Sequence, residues 1–191
     1  VLVNIPQNGV LNSGTMTADG LSIDGTGEYG ISNSGSFTGM GILSIKNTAT
    51  TGIVNSGTIA GMESLVMDNV VGHGIYNNGG SITAEDISIN NPSANGIYNY
   101  NSGDMTVSGI MAIENTGSYG MSNPAGSTYT GGKLSIKNVA SNDGLHNRGE
   151  MVVDNLTIEN TPRYGIDQGN TLVAKEIIIR NTGSSGIQNS G

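Results

Sequence analysis

A glycine, an aliphatic residue, a variable residue and an asparagine recur together along the whole chain. The quartet reads GVLN at 9, GISN at 30, GIVN at 52, GIYN at 74 and again at 96, GMSN at 120, GLHN at 144 and GIQN at 186. GIDQ at 165 fills the remaining place with glutamine. The anchor glycines Gly9, Gly30, Gly52, Gly74, Gly96, Gly120, Gly144, Gly165 and Gly186 follow one another at intervals of 21 to 24 residues. A fixed period of this size specifies a solenoid, because one repeat cannot bury its own apolar face and must stack on the next.

Within a repeat such as GIYNNGGSITAEDISINNPSAN, three short runs alternate apolar with polar residues, at roughly 75–77, 81–84 and 86–90, and glycine, proline or asparagine separates them. The predicted fold is all-β: a single right-handed parallel β-helix with three strands per coil and about eight coils of 21 to 24 residues. Coils then stack at ~4.8 Å, and the right hand follows the usual sense of parallel crossovers. Period-2 alternation assigns the sides. Ile31, Ile53, Ile75, Ile97, Met121, Leu145 and Ile166 face inward from the first run. Met16, Phe37, Ile59, Ile82, Met105, Met151 and Leu172 do so from the second. The third run contributes pairs such as Leu43/Ile45, Ile87/Ile89 and Leu156/Ile158.

The asparagines form two series. Asn12, Asn33, Asn55, Asn77, Asn99, Asn123, Asn147 and Asn189 share the parity of the inward aliphatic residue, with Gln168 as the one interruption. A second series, Asn47, Asn69, Asn91, Asn115, Asn138, Asn160 and Asn181, precedes each anchor glycine by five or six residues. Both fall where the chain must turn. Asparagine suits such a corner because it tolerates left-handed backbone angles, and because its amide can bond the amide one coil away in a ladder.

Composition narrows the partners. A stacked aliphatic core accounts for a chain with 31 glycines, no tryptophan and 4% aromatic residues. The net charge of −8 supplies no basic stripe for a nucleic acid, and no apolar run reaches the ~20 residues of a membrane span. The chain has no cysteine, so a thiolate metal site is excluded. Neither a metal donor set nor a cofactor motif is evident, and the calcium nonapeptide pattern is absent. The register places both termini mid-coil, which predicts that residues 1–191 are an excerpt of a longer solenoid flanked by further coils.

Function must come from outward positions. On the third run these are Asp24, Lys46, Asp68, Asn90, Glu114, Lys137, Glu159 and Arg180, a mixed order that avoids like-charge neighbours. An enzyme acting on polyuronates would cluster carboxylates instead. Two groups stand out. Tyr76 and Tyr98 occupy equivalent outward positions on successive coils, with Tyr100 and His73 close by, and could receive a sugar ring or an apolar partner surface. The longer repeats add residues beside them in NYNSGD (99–104) and NPAGSTYTGG (123–132). His146 and Asp167 likewise hold equivalent positions, with Arg148, Asp143, Glu150 and Arg163 near in sequence; a general base with its orienting carboxylate is one reading, a surface ion pair the other. No serine or cysteine nucleophile accompanies that pair. Outward threonines on the second run are broken by Asp104, Glu150, Val152 and Val173, which weakens an ice-binding reading.

The stretches NSGTIAG (55–61), NSGTMTADGLSI (12–23) and NLTIENTPRYGI (155–166) resemble the passenger regions of secreted bacterial right-handed β-helix proteins, among them filamentous-haemagglutinin-like exoproteins and autotransporter adhesins. The resemblance covers the whole chain, but its motifs are those of the scaffold. It implies a cell-surface or extracellular location and attachment to a host glycan, a surface protein or another cell. A passenger translocated unfolded would also lack cysteine. The expected function is therefore a non-catalytic stalk or adhesin segment, the alternatives being a polysaccharide lyase or hydrolase, an ice-binding surface or a plain spacer.

Overall fold

The computed structural model describes residues 1–191 and contains strands and turns but no helix. Every strand pairing is parallel. The strands form two nine-stranded sheets, and the chain alternates between them as it climbs. The architecture is a parallel β-solenoid of about nine turns with a coil spacing near 22 residues.

The short sheet contains the first run of each repeat, as in Ile31–Asn33, Ile53–Asn55 and Ile75–Asn78. The second and third runs are not separated by a break in pairing. They join into one long strand per coil, such as Ser36–Thr48, Thr58–Val70 and Ser81–Pro92. A register shift marks the junction, between Ile59 and Met62 in one coil and between Val107 and Met111 two coils on. Such a bulge bends a strand without ending its ladder, so three runs per coil yield two hydrogen-bonded sheets.

Stacking extends to the turns. The Gly74 amide donates to the Asn95 carbonyl and the Ile75 amide to the Gly96 carbonyl, each at 3.0 Å. This contact explains the anchor glycine. A Cβ at Gly74 would lie 2.6 Å from the Gly96 carbonyl oxygen and 2.6 Å from Cγ2 of Ile89, so any side chain there would push the coils apart.

Thirty-three residues form one continuous apolar core. The expected inward positions are buried, from Ile31, Ile53, Ile75 and Ile97 in the short sheet to Leu65/Met67 and Leu156/Ile158 in the long one, except that Met16 and Leu172 are only partly buried against the core. Each buried aliphatic side chain contributes roughly 1.5–3 kcal/mol relative to an exposed one. The contribution arises between coils. Ile166, stacked between Leu145 and Ile187, is 0% exposed.

The two asparagine series divide the two corner tasks. In the inner series Asn12, Asn33, Asn55, Asn77, Asn99 and Asn123 each donate Nδ2 to the next amide oxygen at 2.7–2.9 Å. The ladder reaches the glutamine, which is its last acceptor and turns its own amide to the Asn170 carbonyl. Asn147 donates to Oε1 of Gln168 at 3.0 Å, since the extra methylene still delivers an amide oxygen to the same place. The outer series supplies the left-handed turn: Asn47, Asn69, Asn91, Asn115, Asn138, Asn160 and Asn181 have φ between 52° and 58°. Its exposed amides also form a ladder, but with a step out of column. Asn90 and Asn91 both donate to Oδ1 of Asp68, and Asn115 donates to Asn90.

The outward charges of the third run pair as read. Asp24, Lys46 and Asp68 are successive partners, as are Glu114, Lys137, Glu159 and Arg180. Glu159 receives both Lys137 at 3.7 Å and Arg180 at 3.0 Å. Exposed pairs of this kind contribute at most about 1 kcal/mol.

Candidate functional site

The outer face of the short sheet carries both sequence candidates in one strip. Parallel pairing sets Tyr76 beside Tyr98, Tyr98 beside Ser122, Ser122 beside His146, and His146 beside Asp167. The residue before each anchor glycine forms a parallel file through His73, Asn95, Tyr119, Asp143 and Tyr164.

At one end the register gathers four rings. Tyr76 and Tyr98 stack with centroids 5.5 Å apart and planes 17° apart. Tyr100 lies 5.1 Å from Tyr98 and 6.3 Å from Tyr76, and His73 lies 5.5 Å from Tyr98 and 5.9 Å from Tyr76. Tyr100 is the most open, at 42% exposed. Burial raises the Tyr98 phenol above its ordinary range, and the neighbouring Tyr100 and Tyr76 phenols add to the effect. Burial lowers the His73 imidazole. Its Nδ1 faces the Asn95 backbone N–H at 3.3 Å and so accepts, which places the ring proton of the neutral form on Nε2.

The two longer repeats contribute less loop than the sequence suggested. Asn99 and Asn123 are ladder members and Thr128–Lys137 is strand, so the second insertion reduces to a turn over residues 124–127. The first retains Asn101 and Ser102 in left-handed conformations. The two turns are neighbours: the Thr128 amide donates to the Gly103 carbonyl at 3.0 Å, and a Cβ on Gly126 would approach Oγ of Ser102 at 3.1 Å. Tyr100 borders them in the chain.

At the other end of the strip, Nδ1 of His146 and Oδ2 of Asp167 are 3.1 Å apart, and Arg148 donates from Nη2 to the same oxygen at 2.8 Å. The Tyr119 ring lies 5.3 Å from the His146 ring. Ser122 completes a serine–histidine–aspartate file that sequence reading did not find, because the three residues lie on three coils and meet only through the register. The file lacks the nucleophile–base hydrogen bond that activation requires, and Ser122 is 5% exposed.

Asp143 also joins this group. One donor atom from each of Asp143, His146 and Asp167 lies within 4.8 Å of the other two. The Asp143 Oδ1 accepts the Tyr164 backbone N–H at 3.1 Å and faces Nε of Arg163 at 3.8 Å. Its Oδ2 is buried without a hydrogen-bond partner. The chain's sequence showed these residues as near neighbours but showed no donor set.

Compared with known proteins, the chain matches no family model, no curated protein and no solved structure. The solenoid and its asparagine ladder therefore stand on the geometry alone.

Proposed function

We propose that this chain is a non-catalytic segment of an extracellular β-helix adhesin, exposed at a bacterial cell surface, that makes contact through the rings of Tyr76, Tyr98, Tyr100 and His73. The observation that carries the reading is the ring cluster itself. Four aromatic side chains converge on one outer face of a protein otherwise poor in aromatic residues, next to two adjoining irregular turns. Tyrosine clusters of this kind offer flat apolar area with hydroxyls at the rim, which suits a glycan or a partner protein surface. The remaining faces offer a paired charge ladder, which favours a scaffold role for the rest of each coil.

The test is retention of the purified segment on an array of glycans and matrix proteins. Tyr76→Ala combined with Tyr98→Ala is expected to abolish retention while shifting the thermal midpoint only modestly. Unchanged retention in the double variant, or no retention of the native chain on any surface, would reduce the segment to a spacer.

The in-register His146–Asp167 pair supports a second reading, a polysaccharide-acting enzyme. Turnover of a polyanionic glycan that disappears in His146→Ala would replace the adhesin reading with that one.

A further inference from the structure

The file of residues before the anchor glycines has a shared structural task. Asn8 accepts the Tyr29 backbone N–H through Oδ1 at 3.2 Å, and Asn95 accepts that of Tyr119 at 3.3 Å. His73 accepts that of Asn95. In each case a neutral acceptor on one coil satisfies a backbone donor on the next. Asp143 does the same for Tyr164 with Oδ1. The task needs only an amide oxygen, so a carboxylate at this position adds a negative charge and a second acceptor that the scaffold does not use.

That second acceptor is the anomaly. The Asp143 side chain is 1% exposed and its Oδ2 has no partner. A buried carboxylate oxygen left unpaired is costly, and an orphan of this kind calls for a partner such as a water or an ion. The arginines nearby do not serve it. Arg163 approaches Oδ1 at 3.8 Å with a side chain 49% exposed, and Arg148 is committed to Asp167. His146 and Asp167 lie beside the same carboxylate, one donor atom from each within 4.8 Å of one of its oxygens.

We infer that Asp143, His146 and Asp167 form a binding site for a borderline divalent transition cation of the Zn²⁺ type. One imidazole nitrogen with two carboxylate oxygens is a donor set for such an ion. Ca²⁺, which requires six to eight oxygens, and Mg²⁺, which prefers an octahedron of oxygens and water, fit it poorly. Bonds of ~2.0–2.2 Å require the three donors to draw together. Asp143 is the fixed member, held by Tyr164, while the partly exposed His146 and Asp167 side chains rotate inward on the surface. Arg148 stays on Asp167 as the outer partner that orients a ligating carboxylate. The site is independent of whether the tyrosines bind anything.

The experiment is calorimetric titration of Zn²⁺ into chelator-treated protein, with thermal melts alongside. The native chain is expected to bind about one ion and to melt several degrees higher with excess Zn²⁺. Asp143→Asn retains the Oδ1 acceptor that Asn8 and Asn95 use, so its metal-free melt should match the native one while Zn²⁺ affinity falls ~10-fold or more. His146→Gln, a change on the surface, should show the same loss and covers the case in which Asp143→Asn folds poorly. Absence of Zn²⁺ binding by the native chain, or undiminished binding by His146→Gln, would overturn the site and leave an ion-pair network.

Discussion

Asn77 donates its side-chain amide to Oδ1 of Asn99 at 2.9 Å while its own Oδ1 accepts from Asn55 at the same distance. Both neighbours are 0% exposed, so neither can turn to water if this link is lost. Asn77 also donates to the Gly80 carbonyl at 2.8 Å and the Asp104 carbonyl at 3.3 Å, tying together the turn of its own coil and the start of the next long strand.

Asn77→Ala should therefore cost ~2–4 kcal/mol, because Asn99 Oδ1 loses its donor in a buried place and a small cavity opens. Asn189→Ala, at an exposed position that receives no bond from Gln168, should cost a few tenths. Denaturant midpoints of the two variants provide the comparison, and equal losses would show that the ladder is not what stabilises the corner.

The outer series is expected to respond to backbone geometry instead. Asn69 has φ of 57° and an exposed side chain that donates to Oδ1 of Asn47 at 2.6 Å. Asn69→Gly should change stability by less than about 1 kcal/mol, whereas Asn69→Val should lose ~1–3 kcal/mol, because a β-branched residue fits the left-handed region poorly. Thermal melts would separate the two.

Tyr129 is buried in the core, and its phenol has no hydrogen-bond partner, so burial pushes its ionisation up. The ring fits because residue 131 is glycine, whose missing Cβ would otherwise collide with the phenol. Gly131→Ala should destabilise by ~1–3 kcal/mol through overpacking. Tyr129→Phe should be neutral or slightly stabilising, since it removes an unpaired buried hydroxyl while keeping the ring. A large loss in Tyr129→Phe would mean that the hydroxyl is satisfied in solution.

Acidification should weaken the coil that carries His73. Its imidazole is held below the ordinary value of 6.5 by burial, and its neutral Nδ1 accepts from Asn95. The unfolded chain therefore takes up the proton first. The contribution is fully present above about pH 6.5 and is lost as pH falls from there through the folded value, below which it levels off. Thermal midpoints measured from about pH 7.5 to about pH 5 should decline, and His73→Gln, which keeps an acceptor without a titrating ring, should flatten that decline.

The amino-acid sequence alone determined the solenoid, its period and its inward positions, because one pattern repeated on every coil is averaged into legibility. Ile75 and Asn77 could be placed because their equivalents recur with the same parity. The tyrosine cluster was readable for the same reason: Tyr76 and Tyr98 share a repeat position, and equal positions become neighbours when coils stack. What only the tertiary structure decided lies where one coil departs from the rest. Gln168 joins the ladder as its last acceptor because side-chain reach, not residue type, places its amide oxygen. The second and third runs merge because a bulge preserves pairing that a sequence break seems to end. Tyr129 enters the core through the space left by Gly131. Ser122, Asp167 and the pair Asp143 and His146 come from three coils, and whether their atoms meet depends on rotamers and on which backbone donor each side chain serves. Such contacts are set by packing distances of an ångström or less, which a repeat pattern does not encode.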